Sequence, residues 1–157
     1  MEKTLYLDEI DRRILDILQQ RSNIPNNALA DQVCLTPGPC LRRVQRLVGL
    51  GVIRRFTVEL DESLLGLEIS AFVEITLSQH TKEVANQFMK SVQSKPQVLS
   101  CHMVAGDCDF ILQVVTSNLK EYRKLIWEDL HRIKGVEKIH SIMVLDTFKG
   151  RSSLSIG

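Results

Sequence analysis

Thr36-Pro37-Gly38-Pro39-Cys40-Leu41-Arg42-Arg43-Val44-Gln45-Arg46-Leu47-Val48-Gly49-Leu50-Gly51-Val52-Ile53 is the stretch on which the reading of this chain turns. Thr36 suits an N-cap, Pro37 suits the first helical position, where a missing N–H costs nothing, and Gly51 can close the far end. At about 100° per residue, Cys40, Val44, Leu47 and Val48 fall on one arc. Gly38, Pro39, Arg42 and Arg46 fall on the opposite arc, flanked by Arg43 and Gln45. The pattern predicts an amphipathic helix with a cationic outer face, the kind that enters a DNA groove.

Upstream, Asp8 is placed to cap a helix whose apolar positions Ile10, Ile14, Leu15, Ile17 and Leu18 keep the 3.6-residue period, with Asp11 supporting the cap. Asn23 to Pro25 break that helix, and residues 26–33 offer a second, short one with Leu29, Ala30 and Val33 inward. Only Cys34, Leu35 and the cap Thr36 separate it from the arginine-bearing helix. Two helices joined by so short a turn, the second exposing cations, have the helix-turn-helix layout. Downstream, Val52 to Arg55 and Thr57 to Leu60 have strand character and are expected to form a small wing that sets Arg54 and Arg55 beside the reading helix.

Turn-forming composition over Asp61 to Gly66 marks a domain boundary, giving an expected DNA-binding domain at 1–60 and a second domain at 61–157. The second half is different in kind. Ile69 to Leu77 and Val98 to Val104 read as strands, as do Phe110 to Val115 and Val136 to Leu145. Lys82 to Ser94, and Asn118 to about Ile133 with Gly135 closing it, show helical spacing. The order βαββαβ is the ferredoxin-like, split-βαβ architecture, so the whole chain is expected to be α+β. Two helices cover one sheet face only. The uncovered face predicts a homodimer that packs sheet against sheet.

Composition excludes several classes. With 44% hydrophobic and 25% charged residues the chain has the make-up of an ordinary globular protein rather than a disordered one. A net charge of +1 is no polyanion signature, so the case for nucleic acid rests on placement: Thr36 to Val58 holds five arginines and no acidic residue. No apolar signal core follows the N-terminus and no run is long enough to span a membrane, so a cytoplasmic address without membrane association is expected. Cys34, Cys40, Cys101 and Cys108 lack C-x-x-C spacing and read as small core hydrophobes, and the four histidines show no paired ligand spacing. No metal, cofactor or catalytic site is expected.

The helix-turn-helix followed by βαββαβ resembles the Lrp/AsnC feast/famine transcription regulators. The resemblance is carried by Pro37-Gly38-Pro39-Cys40-Leu41, Phe72-Val73-Glu74-Ile75-Thr76-Leu77, Gly106-Asp107-Cys108-Asp109 and Tyr122-Arg123-Lys124-Leu125. It implies a winged helix-turn-helix, a RAM-type second domain, and dimers assembling to an octamer or similar. It also implies a small amino acid bound as effector where the second domains of neighbouring dimers meet. Cys108 departs from the aromatic residue common between the two aspartates of that family, and Gly38 and Gly49 are unusual inside its reading helix.

Candidate contacts follow from the chemistry of each partner. Double-stranded DNA needs close approach, assigned to Thr36, Gly38 and Pro39, base-edge or phosphate contacts from Arg42 and Arg46 with Gln45 beside them, and phosphate contacts from Arg43, Arg54 and Arg55. Five neutralised phosphates per protomer would give a salt slope of about −4 to −5 for each half-site. Dimer half-sites are expected about 34–36 Å apart or a multiple of it. Taken alone, Gly106 to Asp109 is an ordinary hairpin turn. The resemblance makes it part of the effector pocket, with Met103, Val104, Ala105, Gly106, Asp107 and Asp109, and Ile142, Met143 and Val144 on the last strand, as candidate lining. Two other functions are compatible with the same architecture. An enzyme resembling siroheme decarboxylases would need histidines and arginines around a tetrapyrrole rather than cations on the third helix, and an amino-acid-binding assembly protein would need no DNA affinity.

Overall fold

The computed structural model describes residues 6–150 and 153–156, so the outermost residues of both expected domain ranges lie outside the described residues. The chain divides into two compact units, one running up to Leu60 and resuming at Lys149, the other Asp61–Phe148.

In the first unit, α1 (Glu9–Gln20), α2 (Asn26–Gln32) and α3 (Pro37–Gly49) pack around Ile14, Leu15, Ile24, Leu29, Ala30, Val33, Cys40 and Leu47. The Asp8 cap is present: its carboxylate accepts from the Asp11 N–H at 2.8 Å, and the Asp11 carboxylate accepts from the Asp8 N–H in return. Between α2 and α3, the Leu35 N–H reaches the Ala30 carbonyl (2.9 Å) and the Cys34 N–H reaches that of Asp31 (3.2 Å). These two bonds form a Schellman motif, and they put Cys34 in the left-handed region at φ 56°. The same motif ends α3, with Gly51 at φ 74° and the Val52 N–H donating to the Leu47 carbonyl at 3.0 Å.

The expected wing strands are not formed: residues 52–60 run as irregular chain with no ladder. Only Phe56 separates the two segments, and a hairpin needs at least two loop residues, so they cannot pair with each other. The second unit also stops short of the expected boundary, because the chain end turns back to the first unit. Gln19 exchanges two hydrogen bonds with the Leu154 backbone (2.7 and 3.1 Å), and Ile156 packs on the α1–α3 core.

The second unit comprises β1 (Ile69–Leu77), α4 (Lys82–Gln93), β2 (Val98–Met103), β3 (Phe110–Thr116), α5 (Leu119–Lys124) and β4 (Val136–Met143). The sheet order is β2-β3-β1-β4, antiparallel throughout, as the βαββαβ reading requires. Instead of continuing as α-helix to about Ile133, α5 loosens into a π-helical turn over Leu125–Leu130. Ala71, Val73, Ile75 and Leu77 of β1 and Phe110, Leu112 and Val114 of β3 alternate inwards, onto Phe88 and Val92 of α4 and Tyr122, Leu125, Ile126 and Leu130. The intervening residues Phe72, Glu74, Ile111, Gln113, His140 and Ile142 lie on the opposite face. There, in register, His140 meets Glu74 at 2.9 Å and Phe72 lies beside Ile142.

Of the four cysteines expected in cores, only Cys40 is fully buried; Cys108 is half-buried, and Cys34 and Cys101 are exposed, one in the turn and one on the edge strand β2. All four are free thiols.

Candidate nucleic-acid interface and effector turn

Thr36 stands at the N-cap of α3 in extended conformation, its side chain making no capping bond. The start of α3 is fixed from the side instead, where the Asn26 amide donates to the Pro37 carbonyl at 2.9 Å. Gly38 is exposed, with nothing among the described residues within 4 Å of where a Cβ would lie, so no described neighbour requires glycine there. Pro39 is half-buried. Arg42 and Gln45 are exposed, about one and two turns beyond Gly38, and neither makes a hydrogen bond or ion pair among the described residues. Gly38, Arg42 and Gln45 therefore form the outward line of α3. Leu41 and Val48 flank it on one side, exposed by 45% and 44%, so Val48 belongs to the rim rather than to the core arc expected for it.

The other flank differs from the expectation. Arg43 donates through Nη1 to Asp8 (2.7 Å) and to Asp11 (2.9 Å), and Arg46 pairs with the second oxygen of Asp11. Asp11 is 1% exposed, and a carboxylate so buried persists only when it is paired and hydrogen-bonded. The two arginines expected on phosphates and base edges are thus engaged with α1. The Asp11 N–H bond and the Arg43 guanidinium hold the Asp8 carboxyl below its ordinary range, and the same pairs raise Arg43. Of the five arginines in this region, Arg42, Arg54 and Arg55 have no carboxylate partner among the described residues, and all three are exposed.

In the second unit, Val104, Ala105, Gly106, Asp107, Cys108 and Asp109 form the turn between β2 and β3, closed by the Val104 N–H on the Asp109 carbonyl at 3.0 Å. Met103, Ala105, Gly106 and Asp107 are exposed. Asp109 holds the turn in place. Its carboxylate accepts from the Leu77 N–H (2.7 Å) and meets His80 Nδ1 (2.9 Å), latching the turn to the end of β1. Burial, and then the charges of Glu74, Asp109 and Asp107, push the Cys108 thiol up, so it stays protonated at neutral pH. Ile142 and Met143 do not join this group within one chain. Met143 pairs with Ala71, whereas Phe110 at the turn pairs with Ile75. Four residues of β1 put them about 13 Å apart along the strand. The Val144 N–H bonds to Ser70, further still from the turn. Sequence reasoning missed the parts played here by Asp8, Asp11, Asn26, Leu77 and His80, all of which act across long separations. No group of three or more His, Cys, Asp or Glu among the described residues could hold a metal, and no helix there is long and apolar enough to cross a membrane.

A helix-turn-helix unit with an exposed arginine on the outward line of α3, followed by an antiparallel βαββαβ unit, is the layout of a DNA-reading module joined to a second, separately folded unit. Residues 7–48 match the AsnC-type helix-turn-helix domain and residues 70–154 the Lrp/AsnC ligand binding domain. The chain belongs to the Lrp/AsnC family of regulators. It is 39% identical over 150 residues to the leucine-responsive regulatory protein of Klebsiella pneumoniae, covering 96% of this chain and 92% of that one. Its fold is similar to a Neisseria meningitidis transcriptional regulator in complex with L-Met (TM-score 0.90, 31% identity, 96% and 97% of the two chains). It is also similar to an AsnC family transcriptional regulator from Agrobacterium tumefaciens (TM-score 0.88, 30% identity, 95% and 97%). These relatives are named as regulators, which sets the decarboxylase alternative aside.

Proposed function

We propose that this chain is a cytoplasmic homodimeric regulator that reads DNA with Thr36, Gly38, Pro39, Arg42 and Gln45, supported by Arg54 and Arg55 on phosphates, and that answers to an apolar amino acid. The observation that carries the reading is the line Gly38, Arg42 and Gln45 on α3, pointing away from its own core. An arginine and a glutamine one turn apart are suited to guanine and adenine edges or to phosphates. Retention of a duplex from upstream of its own gene in a gel shift, at moderate salt and against excess random DNA, is the expected result. No retention at low salt would overturn it.

The effector site is the turn Met103 to Asp109. Backbone N–H groups around Gly106 suit a carboxylate, Asp107 suits an ammonium group, and Met103 offers an apolar wall. The name of the Klebsiella relative and the L-Met bound to the Neisseria one support an apolar amino acid. Ile142, Met143 and Val144 join such a pocket only if a second chain supplies them, in keeping with assembly of dimers into an octamer or similar. Calorimetric titration of leucine and methionine, with and without the retained duplex, tests coupling. Effector affinity should change in the presence of DNA by the factor with which the effector changes DNA affinity.

A further inference from the structure

Asp8 and Asp11 stand at the N-terminus of α1, 32 and 35 residues before the arginines they hold, and have no part in the reading line. Three contacts join them to α3. The Arg43 Nη1 bridges both carboxylates, and Arg46 takes the remaining oxygen of Asp11. Two carboxylates against two guanidinium groups leave this flank without net charge. A cap alone would need only one of them, since Asp8 already satisfies the Asp11 N–H. Arg46, meanwhile, is 44% exposed at the edge of the reading line, within reach of solvent and of anything docked there.

We propose that Asp8 and Asp11 are specificity-determining residues of the DNA-binding unit: they neutralise Arg43 and Arg46 in place, withholding two cations from the phosphate backbone. Sequence-independent binding is driven almost entirely by phosphate neutralisation and counterion release. A reading unit with all five arginines available would hold any duplex more tightly, whatever its sequence. With two withheld, three cations per protomer remain, Arg42, Arg54 and Arg55. The salt slope per half-site should then be no steeper than about −2.7, against about −4.5 with all five available. Base contacts from Arg42 and Gln45 would then account for a larger share of the discrimination between sites.

The inference rests on the DNA-binding reading, and the test separates the two. Full-length protein is compared with Asp8→Asn and Asp11→Asn, both near-isosteric; asparagine at position 8 keeps an acceptor for the cap. Affinity for the upstream duplex and for a random duplex is measured by fluorescence anisotropy between 50 and 200 mM salt. Each variant should bind the random duplex more tightly than the parent does. Each variant leaves one carboxylate against two guanidinium groups, so each should also lose about threefold more affinity per protomer than the parent across that salt range, as one more uncompensated cation per protomer requires. The ratio of specific to random affinity should fall. Weakened packing alone would lower affinity without steepening the slope. If Asp11→Asn does not fold, Asp8→Asn, at the more exposed end of the cluster, decides. Unchanged slope and random-duplex affinity in a folded variant would overturn the inference while leaving DNA binding intact. Failure of the parent to bind any duplex would overturn both.

Discussion

At the scale of single residues, two positions in the first unit carry consequences out of proportion to their size. Cys34 holds φ 56° in the turn of the helix-turn-helix, a conformation that costs an L-residue roughly 1–2 kcal/mol and glycine almost nothing. Because glycine also gains freedom in the unfolded chain, Cys34→Gly should stabilise by about 0.5–1 kcal/mol, read as a raised midpoint in urea with unchanged slope. Asp8 is the other. Its folded pKa lies below its unfolded value of about 3.9, so its contribution is fully present above that value and is lost as pH falls through the lower one. The midpoint of thermal unfolding of the first unit should therefore drop below about pH 4, and Asp8→Asn should make that drop shallower. Neither position announced itself. A cysteine carries no left-handed signal, and the capping role of Asp8 was visible while its partner Arg43, 35 residues away, was not.

At the scale of elements, local chemistry was legible and remote chemistry was not. Asp8 and Asp11 at α1, Pro37 and Gly51 at α3, and Gly135 before β4 all mark boundaries that the backbone adopts, because caps and positive-φ positions are decided within a few residues. The strand boundaries follow from alternation against one packed face, which is why Ala71, Val73, Ile75 and Leu77 alone predict the inner side of β1. The wing failed for a reason also present in the sequence, the single residue between its two halves. The π-helical turn after α5 and the Asp109 latch on Leu77 and His80 depend on tertiary neighbours, and no spacing rule reaches them. Gly135 tests element packing most sharply. It sits at φ 95°, and a Cβ there would lie 2.4 Å from Val84 Cγ1 on α4. Gly135→Ala should destabilise the second unit by about 2–4 kcal/mol, from backbone strain plus overpacking, as measured by denaturant unfolding.

At the scale of the whole molecule, the fold class and the order of the two domains were readable because both rest on periodicity, whereas the candidate site was readable only in outline. Gly38 and Arg42 on the outward side of α3 and the β2–β3 turn were legible in the sequence, while Pro39 is half-buried and Arg46 is paired; which arginines remain available was not legible, since that depends on carboxylates at another helix. The sheet face bearing Phe72, Ile111 and Ile142 is where self-association is expected. Phe72, 41% exposed, should shift the protein from dimer towards monomer in analytical ultracentrifugation when changed to Glu, with the helical signal kept. The most direct test of the account is the affinity of Arg42→Ala, in a background of intact folding, for the upstream duplex at about 150 mM salt. Loss of one arginine contact on the reading line should weaken specific binding by about five- to hundredfold. An affinity equal to that of the parent would contradict the claim that α3 faces DNA.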